Sequence, residues 1–115
     1  ILLTHDPTHW EYRVRGRYPV ALTLCGHTHG LQMGLYVAGR HWSPAGWLYR
    51  YWAGLYAGPP LGAQDRAIPT YLYVNRGLGY IGLPARFGVW PEITVIRLRR
   101  GEGKEAVCFL GKGRA

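Results

Sequence analysis

Gly26-His27-Thr28-His29-Gly30 sets two imidazoles two positions apart between glycines, directly after the apolar run Ala21-Leu22-Thr23-Leu24-Cys25. Imidazole is the commonest protein ligand for divalent metals, and in extended backbone residues two apart face the same way. His27 and His29 could then converge on one ion or divide between two neighbouring ions. Flanking glycines allow a sharp turn and leave room for a ligand to approach. The competing reading is ordinary: a histidine in a basic protein is usually a surface or hydrogen-bonded core residue. A second apolar run, Ile1-Leu2-Leu3-Thr4, ends in His5. Two strand ends that each deliver an imidazole to one rim favour the metal reading, because sites gather at strand ends in open α/β sheets.

Those strand ends must be positioned by the elements around them. Thr8 followed by Glu11 has the spacing of a capping box, with Pro7 suited to a first turn, and Gly16 and Pro19 bound a short helix. Val20 to Cys25 is expected to be a buried strand. Leu31 to Gly39 has moderate strand character. Trp42, Trp47, Leu48, Tyr49, Tyr51, Trp52, Leu55 and Tyr56 crowd into the stretch before Pro59-Pro60. Their partly helical spacing suggests a lid packed over a sheet, with a membrane-interface helix and an apolar substrate pocket as alternatives. Gly58 to Pro69 reads as a loop exposing Asp65 and Arg66. Thr70 to Val74 reads as the clearest strand, and Glu92 to Leu98 as another. Residues 99–115 read as a turn at Gly101-Glu102-Gly103, a hairpin partner from Ala106 to Leu110, and a frayed tail.

Composition bounds the function. The 115 residues are 48% hydrophobic, about one domain's worth, and carry a net charge of +8. Such charge suits anionic partners, including a phosphorylated substrate. The basic clusters Arg13-Arg15-Arg17 and Arg97-Arg99-Arg100 are small, and no DNA- or RNA-binding signature accompanies them, so no nucleic-acid partner is expected. Cys25 and Cys108 are too few and too distant for a disulfide framework. A Cys25-x-His27-x-His29 ligand set is conceivable, but a small cysteine in an apolar strand usually serves packing. No run of eighteen apolar residues occurs. The chain starts abruptly within a strand and reads as part of something longer, a single partial domain over 1–115.

The ordered motifs support a named resemblance. His5-Asp6-Pro7, Gly26-His27-Thr28-His29-Gly30-x-Gln32, Tyr71-Leu72-Tyr73-Val74-Asn75-Arg76-Gly77-Leu78-Gly79, Leu83-Pro84-x-Arg86 and Pro91-Glu92-Ile93 follow one another over nearly the whole chain to about residue 98. This series resembles the C-terminal half of a calcineurin-like metallophosphoesterase, more narrowly the bacterial, often membrane-anchored branch. The resemblance implies an α/β fold, the C-terminal half of a four-layer αββα sandwich, with mostly second-sheet strands and short helices. It implies a centre of two divalent ions (Mn, Fe or Zn), with His5 and His27 on one metal and His29 on the other. A catalytic histidine and the remaining ligands belong to elements upstream of His5, so none of the catalytic residues is expected here and the stretch alone is expected to be inactive. Leu31 stands where this branch usually has glycine. Asp6 is expected in a supporting or capping position and His9 at the surface.

The implied activity is hydrolysis of a phosphoester or pyrophosphate. Asn75, Arg76 and Arg86 are candidate substrate-binding residues, since an arginine fork matches two phosphate oxygens; the alternative for the arginines is hydrogen bonding to loop carbonyls. The aromatic segment and the membrane anchoring of the branch suggest a lipid-linked substrate and a membrane-associated bacterial protein anchored through an upstream part. A non-catalytic metal-binding or membrane-surface module is the alternative of another class.

Overall fold

The computed structural model describes residues 1–38, 40–63 and 67–98. The expected hairpin and tail over 99–115, and the exposure of Asp65 and Arg66, lie outside the described residues. The protein is built on one four-stranded sheet in the order β1-β2-β6-β5, formed by β1 (Leu2–Leu3), β2 (Leu22–Cys25), β6 (Ile68–Val74) and β5 (Gly54–Leu61). The first three run parallel and β5 is antiparallel to β6. A two-stranded hairpin of β3 (Leu35–Val37) and β4 (Arg40–Trp42), then one helical turn, α2 (Ala45–Leu48), lie between β2 and β5 in sequence. This mixed α/β arrangement of a sheet and a few short helices is consistent with a fragment of a metallophosphoesterase sandwich.

Parallel strands need cover, and the central pair is apolar because it receives it. Leu22, Thr23, Cys25, Leu72, Tyr73 and Val74 are all buried. The connection from β1 to β2 supplies one covering element: α1 (Pro7–His9) runs on into a wider π-helical turn, Trp10–Val14. Trp10 and Val14 from this turn pack with Cys25, Tyr51, Leu72 and Val74, and the Trp10 and Tyr51 rings meet edge to face at 5.2 Å. Gly58 is required beneath Trp10, since an added Cβ would come 2.9 Å from its ring and 2.5 Å from Thr70 Oγ1.

Parallel β1, β2 and β6 all end at the same edge of the sheet, so His5, Gly26-His27 and Asn75-Arg76 emerge side by side. Backbone bonds continue the ladder past the strand ends, with Gly26 N donating to His5 O at 3.2 Å and Asn75 N to Cys25 O at 2.8 Å. The rim anticipated from the two apolar runs is therefore real, and β6 adds a third strand end to it.

Several local expectations are corrected. The cap of α1 is Asp6 rather than Thr8: its Oδ1 accepts from both Thr8 N and Thr8 Oγ1 at 2.7 Å, leaving Thr8 inside the helix. The aromatic segment forms only the single turn α2, because Tyr49 leaves the helical region at φ −127° and Leu55 and Tyr56 pair with Tyr73 and Leu72 across the β5–β6 ladder. Gly58-Pro59-Pro60-Leu61 is strand, not loop. Proline is tolerated there because β5 is a sheet edge, and the register shifts between Gly58 and Leu61. Residues 92–98 keep the expected alternation, with Glu92, Thr94 and Ile96 half-buried and Ile93 and Val95 exposed, yet form no ladder among the described residues. Side chains, not backbone, hold this run to β6.

Candidate metal centre

The histidine loop is not extended. After β2 the backbone enters the left-handed region at His27 (φ 63°) and again at His29, Gly30, Leu31 and Gln32, the last four closing a 3-10 turn, His29–Gln32. A left-handed conformation costs a residue with a Cβ about 1–2 kcal/mol, and such strain persists only where surroundings hold it. Leu31 sits at φ 48°, a conformation that favours the glycine which the family resemblance implies here.

The surroundings do hold it. Thr28 Oγ1 donates to Trp52 O at 2.7 Å, and Ser43 Oγ donates to Gly30 O at 2.7 Å, so the aromatic segment clamps the loop from one side. Gln32, 4% exposed, clamps it from the other. Its Nε2 donates to Leu83 O at 2.6 Å and Ala85 O at 2.9 Å, and its Oε1 accepts from Ile81 N. The lid reading of the aromatic segment holds for Tyr51, which lies in the core, and for Trp52, whose ring lies beside Gly30. It does not hold for Trp42 and Trp47, which face outward.

Because the loop curls, His27 and His29 part company. His27 turns to His5: Nδ1 of His27 and Nε2 of His5 stand 2.9 Å apart, with ring centroids 4.7 Å apart. The other nitrogen of His27 lies 2.9 Å from Tyr49 Oη and 3.7 Å from Asp6 Oδ2. His29 turns instead towards the loop after β6, where a Cβ on Gly77 would come 3.7 Å from its ring. Its Nδ1 is buried and without a hydrogen-bond partner among the described residues. No group of three His, Cys, Asp or Glu side chains closes around one point among those residues. His27 and His29 thus face different neighbours.

These nitrogens fit a divalent metal. The two ring nitrogens, in hydrogen-bond contact at 2.9 Å, are close to the separation of neighbouring ligands, about 3 Å, around a six-coordinate ion with bonds of about 2.1 Å. A buried ring nitrogen with no partner is costly as a bare polar atom and is satisfied by a ligand. Tyr49 and Asp6 then stand where the outer nitrogen of a ligating histidine needs a partner that fixes its tautomer. Burial would push the Asp6 carboxyl up, but hydrogen bonds from Thr8 and the nearby imidazoles outweigh it and lower its pKa, keeping it anionic. Cys25 packs in the core with Trp10, Leu72 and Val74, and burial, aided by Asp6, pushes its thiol up to about 12. His9 is at the surface, its Nδ1 2.9 Å from Thr4 Oγ1.

The other candidates are placed beside the rim and already engaged. Arg76 Nε donates to Glu92 Oε2 at 2.7 Å, with both side chains largely buried. Glu92 Oε1 also accepts from Tyr73 and Thr94. Burial alone would raise the Glu92 pKa; bonds from Tyr73 and Arg76 and the arginine's charge bring it below the usual carboxylate range. Asn75 Nδ2 donates to Thr94 Oγ1 at 2.9 Å and its Oδ1 accepts from Gly77 N at 2.6 Å. Arg86 Nη2 donates to the carbonyls of Arg76, Gly77 and Gly79 at 3.0, 3.1 and 2.6 Å, while Nε and Nη1 have no partner among the described residues. Tyr49, Gln32 and Glu92 were not singled out from sequence. Only Gln32 and Glu92 carried a signal, as members of the ordered motifs.

Relatives point to the same family. The chain is 40% identical over 99 residues to the uncharacterized metallophosphoesterase YkuE of Bacillus subtilis (strain 168), a match covering 86% of this chain and 30% of that protein. It is 35% identical over 100 residues to a Bos taurus protein named transmembrane protein with metallophosphoesterase domain, covering 86% of this chain and 19% of that one. Over most of its length the chain is similar to proteins named metallophosphoesterases. No family model and no solved structure matches it. The chain thus spans less than a third of the length of either relative, consistent with the C-terminal half of a metallophosphoesterase domain. The family is one of metal-dependent phosphoester hydrolases. None of the described helices is long and apolar enough to cross a membrane.

Proposed function

We propose that this chain contributes three imidazoles to a two-metal phosphoester or pyrophosphate hydrolase: His5 and His27 to one ion, and His29 to the other. The observation that carries the reading is the paired approach of His5 and His27 at the sheet rim beside the unpartnered buried nitrogen of His29. Divalent ions held by these residues would supply positive charge for phosphate oxygens and lower the pKa of a bound water. The protein's own part is positional. His5, His27 and His29 present neutral nitrogens, Tyr49 and Asp6 orient His27, and the clamps from Ser43, Thr28 and Gln32 hold the strained loop that aims them.

Of the candidate phosphate contacts, Arg86 keeps hydrogen-bonding capacity at Nε and Nη1, whereas Arg76 and Asn75 spend theirs on Glu92, Thr94 and Gly77. Arg86 is therefore assigned to substrate and the other two to bracing the rim. The carboxylate ligands and the catalytic histidine come from the remainder of the domain, so the 115 residues by themselves bind metal weakly and do not turn over substrate. The name of the bovine relative supports membrane association for the whole protein.

The test is metal content and turnover in the natural full-length protein. Two divalent ions per chain are expected, with hydrolysis of a chromogenic phosphodiester lost on chelation and restored by Mn or Zn. His29→Ala should retain one ion. A stripped enzyme that hydrolyses at its original rate, or a His29→Ala variant that holds both ions, would overturn the assignment.

A further inference from the structure

The hairpin that leaves the histidine loop is built against the usual rule for a small two-stranded element. It is marginal alone and needs an apolar face packed on something. Here Leu35, Tyr36, Val37 and Trp42 are all at least half exposed, and Trp47 and Leu48 on α2 are 78% and 69% exposed. The ladder pairs Leu35 with Trp42 and Val37 with Arg40, so these four project from one side, and the Trp42 and Trp47 rings meet edge to face at 5.9 Å. A contiguous exposed apolar surface of this kind marks an interaction site.

Charge identifies what it meets. No Asp or Glu occurs in the sequence between Glu11 and Asp65, while Arg40 shares the Leu35 and Trp42 side of the hairpin and Arg50 follows α2. The Arg50 side chain is 70% exposed, and its nearest carboxylate, on Glu11, stands 3.9 Å away. A second copy of this surface would set like charges against each other. Tryptophan and tyrosine favour the boundary between headgroups and acyl chains, and arginine beside them favours anionic headgroups. We propose that the β3–β4 hairpin and α2 form a docking surface for an anionic lipid membrane, lying on it rather than crossing it.

The position of the patch gives docking a consequence. Ser43, directly after β4, bonds to Gly30 of the histidine loop, and Tyr49, directly after α2, reaches His27. A docked hairpin therefore holds the rim beside the bilayer surface, and the substrate class it serves is a phosphoester carried by a lipid. That last step rests on the phosphoesterase reading; docking does not.

The experiment uses the natural full-length protein with vesicles of phosphatidylcholine alone or mixed with phosphatidylglycerol, acyl chains brominated to quench tryptophan at the interface. Quenching is expected with phosphatidylglycerol and should weaken at high salt. The Trp42→Phe/Trp47→Phe pair should remove most of the quenched signal while vesicle binding persists. Arg40→Glu with Arg50→Glu should lower apparent affinity by at least about fivefold. Equal quenching in the phenylalanine pair, or unchanged affinity after charge reversal, would overturn the proposal. So would shielding of these tryptophans from acrylamide before vesicles are added, since another part of the protein or a second copy would then cover the patch. Vesicle binding is read without turnover, so a failure of docking and a failure of the phosphoesterase reading are separate results.

Discussion

Two polar clusters sit at the same edge of the sheet and differ in what they leave open. At the ends of β1 and β2, His27 bonds to His5 and Tyr49 while His29 Nδ1 is without a partner among the described residues, all held by a loop in unfavourable backbone geometry. At the end of β6, Asn75, Arg76 and Glu92 consume one another's hydrogen-bonding capacity, with Tyr73 and Thr94 completing the network. Both are rich in residue types that do chemistry. His29 separates them: a satisfied group braces, and a buried nitrogen with no partner is ready for a ligand.

The largest effect that could break this contrast lies in the first cluster. In the full-length protein, His27→Ala is expected to reduce turnover at least about a hundredfold and to lower metal content, read by elemental analysis and steady-state kinetics. Substitution in the second cluster should act on stability instead. Glu92→Ala leaves the buried Arg76 guanidinium without its partner and should lower unfolding free energy by about 3 kcal/mol, measured as a shifted denaturant midpoint at unchanged slope. Equal losses of metal from both variants would erase the distinction.

Gln32 sharpens the comparison because it ties the histidine loop to residues 81–85. Gln32→Ala frees two carbonyls and one N–H, and about 2 kcal/mol of stability together with weakened metal affinity is expected from thermal melts and metal titration. Smaller still is the pH dependence of the bracing cluster. The lowered Glu92 pKa contributes stability that is full above the ordinary carboxylate range and is lost as pH falls through the lowered value. Tyr73, raised to about 12 by burial and by Glu92, contributes stability that is full below its ordinary value near 10 and is lost between there and 12. Tyr73→Phe should remove the alkaline arm of a stability–pH curve and shrink the acid arm, which Arg76 and Thr94 then carry without the tyrosine's bond.

Much of this was legible along the chain. Apolar runs ending at His5 and His27 mark strand ends because buried parallel strands must be apolar throughout, and Thr70 to Val74 carries the same mark. Pro59-Pro60 concealed a strand because proline forbids only a central ladder position, and nothing local says that β5 lies at an edge. Glu92 to Leu98 has the alternation of a strand, but alternation specifies two faces and not a hydrogen-bonded neighbour. Tyr49 was hidden among aromatic residues, and its bond to His27 spans 22 positions.

The order of residue types was therefore sufficient for the three strand ends, for singling out His5, His27 and His29 as candidate ligands, and for the basic, acid-free character of the stretch before Asp65. Those properties follow from local hydrophobicity and from chemistry that each residue carries wherever it stands. Folding alone decided that His27 turns to His5 while His29 turns away, and that Arg76 is spent on Glu92 while Arg86 keeps free donors. It also decided that Trp42 and Trp47 look outward. Such outcomes depend on left-handed backbone turns and on partners distant in the chain, and short-range pattern carries no information about either.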